Sequence, residues 1–251
     1  MSIINSYKPP ALQELTEPAP GPFDVYFNGP VPERLESPRV RLVPYIPSVH
    51  SKAFFNEYQK SPEIEKYLPV SWPDYPTFLT WMQNHVLSDP KALVLAIIDR
   101  TKGNDGENIE ESIAGLIGYL NCAPRNLSVE IGPVIILPRS QRTFVSSNAI
   151  GLVLKYALDL PRDGGNGYRR VTWCADPNNK ASVRAAERMG FKIEGEMRWT
   201  WILPVGKDGG LLPVDGMRRE GEGRNSTLLS MCWDDWEAGA KEHVEKMMER
   251  V

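Results

Sequence analysis

Glu130 is the carboxylate whose surroundings point most directly to proton transfer. In the run Leu127-Ser128-Val129-Glu130-Ile131-Gly132 polar and apolar residues alternate. Side chains of a strand point to its two faces in turn, so Ser128 and Glu130 share one face and Val129 and Ile131 the other. A carboxylate held on a central strand beside a cleft can take a proton from an ammonium group, directly or through water. A surface ion pair would give the same pattern. A second cue comes immediately after it. The apolar run Ile135-Ile136-Leu137 ends in Pro138, and Gln141-Arg142-Thr143-Phe144-Val145-Ser146-Ser147 leads into a helical pattern. A helix N-terminus carries unpaired amides and the positive end of the helix dipole, and the two together seat a phosphate. Thr143, Ser146 and Ser147 add hydroxyl donors, and Arg139 and Arg142 add charge. An ordinary Ser/Asn helix cap reads the same way. The third cue is aromatic: Trp199 and Trp201 alternate along one strand and with Trp72 suit the walls of an acceptor pocket, or a stretch of core.

These groups need elements to hold them. Val40 to Tyr45 has the apolar character of a strand, and Val49 to Tyr58 and Thr77 to Val86 that of helices. Three strands rich in Val, Ile and Leu come next, at Leu93 to Ile98, Ile113 to Asn121 and Leu127 to Ile136. A helix over about Ser147 to Leu160 places Ala149, Ile150, Val153, Leu154, Ala157 and Leu158 on one face. Arg170 to Ala175 reads as a strand and Asn179 to Met189 as a helix stopped by Gly190. Phe191 to Leu203 and Thr227 to Trp233 are strands, and Glu237 to Arg250 is a closing helix. The order is that of an α/β fold with a mixed sheet. Residues 103–111 form a polar surface loop, and the glycine-rich stretch 204–225 a long loop or hairpin tip. Residues 1–36 hold seven prolines; lacking amide donors, they predict an extended arm ahead of a domain over 37–251.

Composition narrows the function classes. Of the 251 residues 41% are hydrophobic and 24% charged, the balance of a globular domain with a sizeable core. The net charge of −3 argues against a nucleic-acid partner. The longest apolar run, Ala92 to Ile98, is too short to cross a bilayer, and Met1 to Thr16 has no secretory pattern. Cys122, Cys174 and Cys232, like His50, His85 and His243, are scattered without metal or disulfide spacing. A reducing, cytoplasmic setting is expected.

Taken in order, several stretches resemble the GNAT superfamily of N-acetyltransferases, in particular its RimJ/RimL-type branch. Gln141 to Ser146 is similar to the acetyl-CoA loop Gln/Arg-x-x-Gly-x-Gly/Ala, in a variant form like that of fungal members. Phe144 replaces the first glycine and Ser146 the last small residue. Glycine lets backbone approach a ligand closely, so the Phe144 ring must point away. Asn179-Lys180-Ala181-Ser182 followed by Glu187-Arg188-Met189-Gly190-Phe191 resembles the family's Asn-x-x-Ser…Glu-Lys-x-Gly-Phe helix. Glu194-Gly195, Gly223-Arg224-Asn225 to Trp236, Leu35 to Pro44 and Tyr67-Leu68-Pro69 resemble further segments of the branch. The likeness covers about residues 35–240.

The resemblance implies a GNAT-like twisted mixed β-sheet with helices on both faces. It implies a splayed strand pair near 127–136 and 170–175 that grips the pantetheine of acetyl-CoA. Ile135, Ile136, Leu137, the 141–147 loop and Asn179 would contact that co-substrate, an amide near Ile135 or Ile136 polarising the thioester carbonyl. Glu130 would be the general base. The family's tyrosine acid would fall at Ala186, so Ser182, one helical turn earlier, is the substitute. The reading is an acetyl-CoA-dependent N-acetyltransferase, monomeric or homodimeric and without a metal, acting on a small-molecule amine. Its rivals are an enzyme acting on protein N-termini and a degenerate acyl-CoA-binding module.

Overall fold

The computed structural model describes residues 3–210, 212–218 and 220–250. Eight strands make one sheet. They are β1 (Leu35–Glu36), β2 (Val40–Pro44), β3 (Leu93–Asp99), β4 (Ile113–Ala123), β5 (Ser128–Ile136), β6 (Arg170–Ala175), β7 (Lys192–Ile202) and β8 (Gly223–Cys232), in the order β1-β2-β3-β4-β5-β6-β8-β7. Only β5 and β6 run parallel; the other neighbours are antiparallel. The helices that position the site are α1 (Pro47–Tyr58), α2 (Tyr75–Met82), α3 (Phe144–Leu158), α4 (Lys180–Arg188) and α5 (Lys241–Glu249).

Helices cover both faces of the sheet, and β3 shows why its sequence is an unbroken apolar run. All seven of its residues are buried. Leu93, Leu95 and Ile97 belong to the core beneath α3 and α5, and Val94, Ala96 and Ile98 to the core beneath α1 and α2. A strand buried on both faces has no polar side to alternate with. The mixed α/β sheet expected from the sequence is present.

Several boundaries move, each for a local reason. The helix expected from Ser147 begins at Phe144, because Thr143 rather than the later serines caps it: Thr143 Oγ1 accepts the Val145 amide at 3.2 Å. β8 starts at Gly223 instead of Thr227, since its hairpin with β7 runs on to Ile202↔Gly223. The closing helix is broken at Gly239, whose φ of +116° lies outside any helix. The 103–111 loop contains two single turns, anchored where Asp105 pairs with Arg41 and Arg100.

From residue 3 the arm is laid over the domain without forming helix or strand up to β1. Side chains of α2 and the turn after it stand in for a partner strand. Thr80 Oγ1 accepts the Leu15 amide at 2.9 Å, and Asn84 accepts the Gln13 amide at 2.9 Å while returning a bond to its carbonyl at 2.7 Å. No helix among the described residues is long and apolar enough to cross a membrane.

Candidate active site

The site grows from a fault in the sheet. β5 and β6 pair only where Ser128, Val129 and Glu130 meet Arg170, Val171 and Thr172; beyond Glu130 they part. At that point Gly132 and Pro133 together oppose the single Gly118 of β4. This is a bulge, which bends the strand and turns the residues beyond it, and Pro133 has no amide to offer a neighbour. Gly118 is required there, because a Cβ would lie 1.9 Å from the Leu93 carbonyl oxygen. The bulge shifts the alternation. Val129 and Ile131, but then Val134 and Ile136, face the α3 core, and Ile135 faces the other.

The register also sorts the backbone amides. Leu137 donates to Ala114 O at 2.9 Å. By the alternation of an antiparallel ladder Ile135 faces β4 as well, while Val134 and Ile136 face the side that β6 has left. Of the two amides expected to polarise a carbonyl, Ile136 is therefore free to do so and Ile135 is not; Val134, which no sequence pattern singles out, joins Ile136.

The splay opens into a cleft of about 150 Å³. Glu130, Ile135, Asn179, Ser182, Trp72 and Trp201 all line it. Glu130 Oε2 accepts from Asn121 Nδ2 at 2.9 Å. Burial pushes the Glu130 carboxyl above the usual range, while Asn121, the Cys174 thiol and the Arg224 charge pull it back. The Cys174 thiol is itself pushed up to about 12, by burial first and then by the charge of Glu130. It stays protonated beside the carboxylate rather than acting as a nucleophile. Ser182 Oγ accepts the Trp173 indole N–H at 3.0 Å, which leaves its own proton free to be donated. Asn179 caps α4 by accepting the Ser182 amide at 3.1 Å, and so fixes where that hydroxyl stands. Ala186, where the resemblance expects a tyrosine, is fully buried in the core.

Sequence reasoning missed a buried cation. Arg224, 5% exposed, donates to Tyr67 O at 3.1 Å, Asn225 O at 3.3 Å and Ser226 Oγ at 3.1 Å. Its Nε stands 3.9 Å from Asp176 Oδ2. Burial lowers its pKa and Asp176 opposes the change; an arginine stays charged regardless. Arg224 sat in a recognised segment, but nothing in a one-dimensional pattern showed it facing Glu130 across the sheet. Trp199 goes the other way. The β7–β8 register slips between Met197 and Trp201, and Trp199 has a left-handed φ of +55°. The alternation that put both tryptophans on one face fails there. Trp201, itself 42% exposed, lines the cleft, whereas Trp199 is not among the lining residues.

The α3 end of the site is built differently. Arg142 takes a left-handed φ of +60°, is exposed, and makes no side-chain bond or ion pair among the described residues. Arg139 instead holds the Glu110 and Ile113 carbonyls and lies 3.7 Å from Glu57. Gln141 Nε2 donates back to Ile136 O at 3.0 Å. Ser147 Oγ bonds the Phe144 carbonyl at 3.1 Å within the helix, so it is not the outward donor expected of it. Ser146 remains on the first turn, part-buried. The Phe144 ring packs 4.4 Å beneath the Arg39 guanidinium, which is tied to the Met248 and Arg250 carbonyls. The ring thus belongs to the contact with the C-terminal helix. Cys232, Asp234 and Asp235 place their possible metal-ligating atoms within 4.8 Å of one another, but Asp235 caps the Cys232 amide and pairs with Lys192.

A model of the acetyltransferase (GNAT) domain matches residues 39–192. The chain belongs to the GNAT family. It is an acyltransferase, of a family that uses acetyl-CoA. Among solved structures, a GCN5-related N-acetyltransferase from Brucella melitensis is 24% identical, with 87% of each chain covered and a TM-score of 0.69. A spermidine N-acetyltransferase from Vibrio cholerae, in complex with CoA and spermine, is 13% identical over 80% of this chain and 99% of that one, at a TM-score of 0.55. A ribosomal-protein-S5-alanine acetyltransferase from Vibrio fischeri is 15% identical over 81% and 98%, at 0.54. At these identities the likeness is one of fold. Among curated proteins none matches the chain.

The residues of this GNAT chain fit acetyl-CoA. The strand edge with the unpartnered Val134 and Ile136 amides suits a pantetheine arm, which is itself an amide chain. The first turn of α3, where Thr143 satisfies only the Val145 amide, leaves donors for a pyrophosphate.

Proposed function

We propose that this GNAT enzyme transfers an acetyl group from acetyl-CoA directly to the primary amine of a small molecule. The observation that carries this reading is Glu130 inside an aromatic-walled cleft of about 150 Å³, a volume of the order that takes one aromatic ring. Lys207, in the loop after β7, is fastened to one wall of it. Lys207 Nζ donates to the carbonyls of Glu65 and Val70, at 2.6 Å each, at the two ends of the stretch that holds Tyr67. A peptide acceptor needs an exit for its chain, and this fastening narrows it.

Bound acetyl-CoA supplies the acetyl group as an activated thioester. Residues 141–147 would hold its diphosphate, with Arg142 as the charged partner. One of the free amides of β5, Val134 or Ile136, would hydrogen-bond the acyl carbonyl and favour negative charge developing there, and the other would meet the pantetheine arm. Glu130, ionised, accepts the proton that the acceptor ammonium must lose before its nitrogen can attack. Ser182 donates a proton on the leaving side, relayed from solvent. Trp72 and Trp201 enclose the body of the acceptor. The motif order supports the RimJ/RimL-type branch, and the reading we propose has the enzyme working in the cytoplasm as a monomer or homodimer, with neither metal, nucleic acid nor membrane as a partner.

The test is CoA release measured against a panel of small amines and of N-terminal peptides. Small aromatic or apolar amines are expected to exceed every peptide in kcat/KM. Peptides outperforming all of them would overturn the choice of acceptor, and absence of any turnover together with absence of acetyl-CoA binding would overturn the activity.

A further inference from the structure

The cleft holds more charge than the proton transfer needs. Three of its lining residues are charged: Glu130, Asp176 and Arg224. Glu130 is the base already described. Neither Asp176 nor Arg224 takes the proton, yet each is only 5% exposed. An ion withdrawn this far from water is costly unless another charge matches it. Lys207 and Glu65 lie behind the wall, close enough to offset one another, and are not among the lining residues.

Asp176 opens the turn that leads from β6 into α4. Its Oδ1 accepts the Asn178 amide at 2.7 Å and its carbonyl the Asn179 amide at 2.9 Å. Its Oδ2 makes no hydrogen bond among the described residues and stands 3.9 Å from Arg224 Nε. Arg224 in turn directs a donor from each of its three nitrogens to the Tyr67 and Asn225 carbonyls and the Ser226 hydroxyl. Its positive charge is opposed within the wall, by Asp176 first and by Glu130 as well. With Glu130 ionised, two negative side chains line the cleft against one positive. A single ammonium on the acceptor brings these charges to balance. A carboxylate on the same acceptor would restore the negative excess where water screens it least.

Resting on the small-molecule reading of the acceptor, we infer that the acceptor is an amine that bears no carboxylate, and that Asp176 enforces this by neutralising Arg224, the one cation among the described lining residues. Asp176 is then a specificity-determining residue. A guanidinium left without its counter-charge is well suited to a carboxylate, so an unmatched Arg224 would admit an amino acid. The discrimination acts through space across the cleft. It needs the charge of Asp176 and no direct contact between Asp176 and the ligand. Specificity of this kind repels the wrong ligand rather than holding the right one more tightly.

The experiment compares phenylalaninamide with phenylalanine as acceptors, in the full chain and in Asp176→Asn. The two compounds have nearly the same shape and differ in the charge of one group. Asparagine keeps the oxygen that accepts the Asn178 amide, and thermal midpoint and acetyl-CoA affinity report whether the variant is folded and binds its co-substrate. In the unaltered enzyme the amide is expected to exceed the acid in kcat/KM by about 10- to 100-fold. In Asp176→Asn that ratio is expected to fall by about tenfold, chiefly through a lower KM for phenylalanine. Differences in reactivity between the two amines are the same in both enzymes, so the change in the ratio isolates Asp176. Phenylalanine used as well as its amide by the unaltered enzyme overturns the inference, even if the variant does not fold, and leaves the small-amine reading standing. A ratio that Asp176→Asn leaves unchanged overturns the role of Asp176. If neither compound is acetylated, the reading of a small aromatic acceptor falls and the inference with it.

Discussion

The two ends of the site are built from different materials. At the donor end, around residues 141–147, the working groups are backbone amides of the first turn of α3 and one exposed, unpaired arginine. At the acceptor end, Glu130, Cys174, Asp176 and Arg224 are side chains gathered from β5, β6, the loop after it and β8. The difference teaches how far each end tolerates change in sequence. An amide is present whatever the residue, so Phe144 can stand where the family pattern has glycine, provided its ring packs elsewhere, as it does beneath Arg39. A buried carboxylate or guanidinium has no such substitute.

The sharpest way to break this contrast is Glu130→Gln, which keeps shape and removes the base. It is expected to lower kcat by roughly 10²- to 10⁴-fold while leaving acetyl-CoA affinity unchanged. Burial raises the Glu130 pKa, and the base works only when deprotonated. The acid limb of the pH–rate profile should therefore lie above the ordinary carboxylate range and vanish in the variant. The linkage has the opposite sign for stability. A carboxyl whose folded value is raised contributes stability below its unfolded pKa and loses it as pH rises through the folded one. Glu130→Gln should accordingly raise the thermal midpoint at neutral pH, and a lowered midpoint there would count against a strained, functional carboxylate.

Arg224→Met probes the same end from the side of the cation. It strands Asp176 and the Tyr67 carbonyl in a buried place, a change that typically costs about 3–5 kcal/mol. Denaturant unfolding measures this loss. Because Arg224 also holds the Glu130 pKa down, the acid limb should move to still higher pH. A variant with unchanged stability would show that the cluster is wetter than its burial implies.

The smallest effect belongs to the donor end. Arg142→Glu places repulsion beside the diphosphate and should weaken acetyl-CoA by about tenfold, an effect that shrinks as salt is added because the residue is exposed. Calorimetric titration at two ionic strengths checks it. Stability should not move, since Arg142 makes no side-chain bond or ion pair among the described residues. If this change instead matched the Arg224 variant in its cost to folding, the proposed division between the two ends would be wrong.

The same distinction governs how legible each end is in the sequence. Glu130 was legible because strand alternation is local: its neighbours at 128, 129 and 131 show which way it faces. Arg224 and Asp176 were not, because they approach the Glu130 and Cys174 pair across strands far apart in the chain. Trp199 misled because alternation holds only while a strand keeps its register, and the slip after Met197 leaves no mark in composition. Ser147 looked like an outward donor because a serine near a helix start usually caps it. Thr143 had already taken that position, which turned Ser147 back onto the Phe144 carbonyl.

By itself, then, the sequence determined the order of strands and helices, the α/β class and the strand that bears the carboxylate, since periodicity and capping depend on residues a few positions apart. Only the tertiary structure decided that β5 and β6 part after Glu130, that Val134 and Ile136 rather than Ile135 offer their amides to the gap, and that a buried arginine lines the space so opened. Each depends on register between segments distant in the chain, and one inserted residue in a ladder reverses every direction beyond it.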